Sequence, residues 1–234
     1  MAFNLQVFRV RALTAVIFAA VMLLGILWNA WSFIILFSVI HFGCWWEFIK
    51  LMKLIDPNNF ITRSLWGILY ITLPCLMMID LGMISYTGTG AWNGVDIAVF
   101  AWLAYVPIAI IASIWINDTM AYLVGSWLGK TPLTKISPKK TWEGTIGGIF
   151  LSVLVISGVA YFSQSMTVKD AAIISASCAV FGTIGDLLES KIKRMAGVKD
   201  SGRFMPGHGG FLDRFDSLLL AVPCVWIYIH FLLQ

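Results

Sequence analysis

Long apolar stretches recur along this chain, near residues 12–28, 31–49, 64–84, 97–116, 143–163, 170–188 and 215–233. The hydrocarbon core of a bilayer is about 30 Å thick, and a helix crosses it with about 20 apolar residues. Within that core every backbone N–H and C=O must be paired internally, so only helices and closed barrels can span it. Barrel strands would read as alternating segments of about ten residues, and none is found. The expectation is an all-α, polytopic transmembrane helix bundle of about seven spans, forming one integral-membrane domain. Its apolar N-terminal part is residues 1–95 and its chemistry-bearing half is 96–234. Composition agrees. Hydrophobic residues make up 59% of the chain and charged residues 12%, and mean hydropathy is +0.87; no ordinary soluble domain has these values.

The placement of charge says more than the net value of +4. Cations gather at Arg9/Arg11, at Lys50, Lys53 and Arg63, from Lys130 to Lys140, and from Lys191 to Arg203. The positive-inside rule then predicts a cytoplasmic N-terminus, cytoplasmic loops at those clusters, and an outer loop from Ser85 to Asp96. Arg9 and Arg11 ahead of an apolar stretch resemble a signal peptide, but no clean small-x-small cleavage site follows, so a retained first span is expected. Met120–Gly129 is apolar but too short to cross by itself. It is either a broken or interfacial helix near 118–129, beside a site, or a continuation of the preceding span. Nucleic acid is excluded as a partner. The four cysteines lie scattered in apolar spans with no metal-ligand spacing and read as buried hydrophobes.

Eleven of the 28 Asp, Glu, Lys and Arg residues fall between Asp186 and Asp216. Ionisable groups are costly beside a bilayer and mark functional sites. Asp186 and Glu189 are spaced to share a helix face, and Asp213 and Asp216 have the same spacing at the start of the last span. Two acidic helix ends could therefore face one another. No His/Cys set suggests zinc, whereas carboxylates with phosphate suit magnesium. The interleaved Lys191, Lys193, Arg194, Lys199 and Arg203 suit phosphoryl or nucleotidyl transfer, in which the protein positions groups and offsets spreading negative charge. Gly207-His208-Gly209-Gly210 would let backbone approach phosphate, with His208 donating to it or transferring a proton. Two further polar groups lie upstream: Asn117-Asp118, and Ser137-Pro138-Lys139-Lys140-Thr141-Trp142-Glu143-Gly144.

Plainer readings stand beside these. Basic loops serve topology alone in many membrane proteins; Asp213-Arg214 could be an internal salt bridge; GHGG could merely turn the chain; Trp142 suits an interfacial anchor. Glu47 reads as structural, Asp80 and Asp96 as solvated at the outer face, and His41 and His230 as packing or interfacial residues.

Taken together, these motifs resemble the phosphatidate cytidylyltransferase (CDP-diacylglycerol synthase) family. The resemblance rests on Ser190, Ile192, Lys193-Arg194, Lys199-Asp200, Gly202, Pro206, His208-Gly209-Gly210, Asp213-Arg214 and Asp216. The upstream Asn117–Gly144 stretch adds to it. Met205 stands where the family has Leu, Ile or Phe, a nearly volume-conserving change. The resemblance implies cytidylyl transfer from CTP to phosphatidate, giving CDP-diacylglycerol and pyrophosphate, with Mg2+ and a second monovalent cation such as K+. It implies metal binding by Asp186 and Asp213, and catalytic roles for Lys193, Arg194 and His208. Substrate contacts would fall to Asn117, Asp118, Ser137, Lys139, Lys140, Lys199, Asp200, Gly209, Gly210, Arg214 and Asp216. A homodimer in the bacterial inner membrane, its site cytoplasmic, is the implied setting. The rival expectations are a CTP-dependent transferase for another lipid phosphate, an ion-coupled transporter, and a non-catalytic lipid-binding scaffold.

Overall fold

The computed structural model describes residues 5–83, 104–205 and 209–232, with side chains from residue 12 onward in the first helix. His208 and Asp96 lie outside the described residues, as does the expected outer loop. Seven helices make up the described fold: α1 Leu5–Leu27, α2 Ala30–Ile55, α3 Phe60–Gly82, α4 Tyr105–Leu128, α5 Trp142–Ser163, α6 Val168–Met195 and α7 Leu212–Leu232. The six from α2 to α7 are long and apolar enough to cross a bilayer. Their outward faces carry large apolar side chains such as Trp127, 90% exposed, and Phe162, 85% exposed. Lipid, rather than protein, is the natural cover for such a surface.

Local chemistry explains the element ends. Asn29 forms a capping box with Ser32 at the start of α2, which fixes the tight α1–α2 turn. In α3 a wide π turn over Ile68–Thr72 precedes Pro74. Proline cannot donate to the carbonyl four residues back, and an extra residue in the turn is one way a helix absorbs that mismatch. Thr141 caps α5 through the Gly144 N–H, and Thr167 caps α6 through the Asp170 N–H.

Two structural findings bear on the expectations directly. First, α4 runs unbroken from Tyr105 to Leu128, with Gly129 as its cap, so Met120–Leu128 continues the preceding span. Second, α6 extends well past residue 188: Glu189 lies on the helix with Asp186, as its spacing predicts, and Lys193 and Arg194 are on helix rather than loop. The histidines of α2 and α7 also have partners. His41 Nε2 meets Thr72 Oγ1 at 3.0 Å, and His230 pairs with Asp80 at 3.1 Å. Trp226 also donates to Asp80, whose side chain is about half exposed (53%).

Small residues set the distances between helices. A Cβ on Gly144 or Gly148 of α5 would run into the backbone of α4 at Ala121 and Asn117, so this face brings the two helices close in the manner of small-xxx-small packing. Between α6 and α7, a Cβ on Gly185 would overlap the Asp216 carbonyl. In the bundle interior the Ser152 hydroxyl lies 3.0 Å from the Ser113 carbonyl and 2.9 Å from the Ser175 hydroxyl. These contacts join α4, α5 and α6 and give the buried Ser152 and Ser175 hydroxyls their partners, as buried polar groups require.

Candidate active site

Asp186 and Glu189 of α6 and Asp216 of α7 bring carboxylate oxygens within 4.8 Å of one another. The i,i+3 spacing supplies the first two, and the close approach at Gly185 supplies the third. Glu189 is fully buried and Asp216 nearly so. Two lysines enter this acidic floor. Lys193, one turn beyond Glu189, pairs with Glu189 and with Asp213, the latter at 2.6 Å. Lys140 arrives from the α4–α5 loop and pairs with Asp186. That loop is itself held in shape. Leu133 and Lys140 share a backbone hydrogen bond of 2.7 Å, Trp142 donates to the Thr131 carbonyl, and Glu143 accepts from the Lys130 and Thr131 N–H groups.

Asp213 plays a different part from the other acids. One oxygen takes Lys193; the other faces the Ser201 N–H at 2.9 Å, the Ser201 hydroxyl at 2.9 Å and the Gly210 N–H at 2.8 Å. Gly209 adopts φ +83°, and a Cβ there would meet the Asp213 carboxylate. Glycine is required on both counts. Asp213 therefore organises the α6–α7 connection. Among the described residues the three carboxylates that lie close together are Asp186, Glu189 and Asp216; Asp213, expected beside Asp186 at a metal, is turned toward Lys193, Ser201 and Gly210.

Three cavities converge here. The largest, about 710 Å³, is lined by Asp118, Asp186, Lys193, Lys199, Asp200, Arg203, Gly209, Asp213, Arg214 and Asp216, among others. A second, about 480 Å³, is lined by Asn117, Asp118, Ser137, Lys139, Lys140 and Asp186 with residues of α4 and α5. A third, about 410 Å³, is a groove between α1, α4 and α7, walled by Thr14, Ala15, Phe18, Ala19, Trp115 and Met205, with Asp118, Thr119 and Arg214 also lining it. Asp118 borders all three.

The fold thus gathers nearly all of the expected residues. Asn117 is buried, with its Oδ1 lacking a hydrogen-bond partner among the described residues. Lys199, Asp200 and Arg214 are exposed on the cavity rim. Arg194 departs from expectation: it is exposed, donates to the Val198 carbonyl at 3.1 Å, and lines none of these cavities. The helix turns it away from Lys193, since adjacent helical residues lie about 100° apart. Three participants were not among the candidates for the site. Glu189 carried a legible signal, its spacing from Asp186. Ser201 carried none. Glu47 of α2 is buried against the same connection, accepting from the Ser201 hydroxyl at 2.7 Å and the Leu212 N–H at 2.9 Å. Its structural reading holds, but its partner is the loop of the site.

The donor set suits a hard divalent cation. All of its ligand atoms are carboxylate oxygens, as magnesium prefers. Among the charged groups that are buried or half-buried here, Asp186, Glu189, Asp213 and Asp216 outnumber Lys140 and Lys193, and burial makes unbalanced charge expensive.

Residues 98–232 match the model of the Cytidylyltransferase family. Relatives named phosphatidate cytidylyltransferase include one from Synechocystis sp., 44% identical over 129 residues, which covers 55% of this chain and 44% of the relative. One from Staphylococcus aureus is 49% identical over 112 residues, covering 47% and 43%. One from Staphylococcus epidermidis is 45% identical over 123 residues, covering 52% and 47%. Each match spans less than half the length of the relative. The family match includes every acid and every cation that lines the three cavities, and on that match the chain belongs to the cytidylyltransferase family.

Proposed function

We propose that this protein transfers a cytidylyl group from CTP to phosphatidate, releasing CDP-diacylglycerol and pyrophosphate, at the cytoplasmic face of a bacterial inner membrane. One observation carries the proposal beyond family membership. The charged cavity over the three carboxylates shares Phe18, Trp115, Asp118, Met205 and Arg214 with the groove beside α1. A nucleotide needs the charged space; acyl chains need the groove, which keeps them in contact with lipid. The names of the relatives support the same pair of substrates.

Two polyanions must meet in this reaction, and repulsion is the barrier the protein has to lower. Lys199, Arg203 and Arg214 on the rim of the larger cavity, and Lys139 and Lys140 in the second, are placed to hold phosphate oxygens. Guanidinium and ammonium groups do this well. The lipid phosphate supplies the nucleophile. Its oxygen forms a bond to the α-phosphorus as the bond from that phosphorus to the bridging oxygen breaks, and the electron pair leaves with pyrophosphate. A phosphate dianion has no proton to give up, so no general base is required. Holding the attacking oxygen in line is the remaining task. Magnesium, held by Asp186 and Asp216 with Glu189 beside them, would supply neutralisation of triphosphate charge when bound. Asp213, through Lys193, keeps this acidic floor in register. A monovalent cation near the magnesium and a homodimeric assembly belong to the same proposal.

Pyrophosphate release from CTP, measured with purified protein in detergent micelles, tests it. Release is expected only with phosphatidate present, and is expected to vanish with EDTA and return with magnesium. Release driven equally by a prenyl phosphate would instead favour another lipid-phosphate substrate. Release without any lipid would remove phosphatidate from the reaction.

A further inference from the structure

Glu47 precedes the family-matched segment, far from the site in sequence, yet its carboxylate ends inside the α6–α7 connection. It is 4% exposed. A single oxygen, Oε2, accepts from the Ser201 hydroxyl within that connection and from the Leu212 N–H where the connection meets α7. A Cβ on either Gly202 or Gly210 would overlap the Glu47 carboxylate, so the connection is wound directly against it. Leu212 opens α7, where the first N–H groups lack helical partners and the helix dipole favours an anion. Ser201 also contacts Asp213 through both its N–H and its hydroxyl, and Asp213 in turn holds Lys193. A continuous chain of contacts therefore runs from α2 to the cation beside the three-carboxylate floor. Burying a carboxylate is costly, and apolar packing would tie α2 to α7 at least as well. What the carboxylate adds is direction: one atom fixes where Ser201 and the start of α7 lie relative to each other.

We propose that Glu47 is a positioning residue for cytidylyl transfer. It acts through Ser201 and Leu212 to place Asp213 and Lys193, and it touches neither substrate. Its part in transfer rests on the function proposed above; its hold on the connection does not.

The test pairs kinetics with amide hydrogen exchange in the full-length protein. Glu47→Ala is expected to lower kcat by about 100-fold, as small misplacements in a site do, with KM for CTP changed by less than about threefold. Glu47→Gln keeps an acceptor oxygen and is expected to recover to within about tenfold of wild type. Ser201→Ala is expected to match Glu47→Ala, and the double variant to be no slower, because both break one connection. Exchange at Gly210 and Leu212 is expected to accelerate in Glu47→Ala while α4 and α5 stay protected. Multiplying losses in the double variant, or rates that fall only in step with the folded fraction, would overturn the proposal. So would unchanged exchange at Gly210 and Leu212. A wild-type protein that releases no pyrophosphate would sink the enzymatic function alone, since the exchange measurement still decides whether Glu47 holds the connection. Should Glu47→Ala not fold, Glu47→Gln against Ser201→Ala carries the same comparison.

Discussion

Asp213 and Asp216 stand one helical turn apart and live in opposite environments. Asp213 meets three donors of its own, the Lys193 ammonium and the Ser201 and Gly210 N–H groups, and shares the single Ser201 hydroxyl proton with Glu47. Asp216 shares its space with Asp186 and Glu189. Replacing either by Asn should abolish most turnover, but stability should separate them. Asp213→Asn turns an amide N–H₂ toward donors and strips Lys193 of a partner, and is expected to destabilise by about 2–4 kcal/mol. Asp216→Asn removes one of three crowded like charges, so without metal its stability is expected to equal or exceed wild type. Thermal unfolding in detergent with EDTA, run beside the pyrophosphate assay, makes the comparison. A lower unfolding temperature for Asp216→Asn than for Asp213→Asn would reverse these two roles. At this scale the residue types at the site were legible in sequence, and much of the division of labour was not. The Asp186/Glu189 spacing could be read because it is local. That Asp213 turns toward Ser201 and Gly210, and that Arg194 turns away from the cavity, depends on groups brought together only by folding.

Between elements, single glycines decide which carboxylates meet. Gly185 of α6 faces the Asp216 carbonyl at a distance that excludes a methyl group, whereas a Cβ on Gly158 of α5 would meet nothing within 4 Å. Gly185→Ala is expected to cost about 1–3 kcal/mol through overpacking and to lower turnover at least about tenfold, because it pushes Asp216 away from Asp186. Gly158→Ala fills open space in a helix interior and is expected to be neutral or stabilising by up to about 1 kcal/mol. Equal effects from the two substitutions would contradict the helix-contact account. Both glycines sit in apolar runs and look alike in sequence, so only the identity of the facing helix tells them apart. The same holds for 118–129. Its length alone suited a broken helix, yet α4 carries it on without interruption, packed at Ala121 and Asn117 against the glycine face of α5.

Across the whole molecule, the α4–α5 connection and the site lie at one end of the bundle, and the α5–α6 turn at Gln164 lies at the other end of α5. With the cation-rich end placed in the cytoplasm, as the positive-inside rule directs, Lys135→Cys should react with a membrane-impermeant maleimide only in inside-out vesicles. Gln164→Cys should react only in right-side-out ones. Both positions are exposed; Cys44, Cys75 and Cys178 are buried and Cys224 is half-buried, so the labelling is run in a Cys224→Ser background. The reverse pattern would invert the proposed orientation. Sequence by itself determined that the chain is a helical membrane bundle, roughly where its spans lie, and which motifs gather its chemistry. Span length and apolarity are local properties imposed by the thickness and dryness of the bilayer, and they survive being read one segment at a time. Tertiary structure alone decided that Asp216 joins Asp186 and Glu189, that Asp118 borders all three cavities, and that Glu47 reaches the α6–α7 connection. Those facts depend on how near two helices can come and which way each is turned, and both are set by residues far apart along the chain.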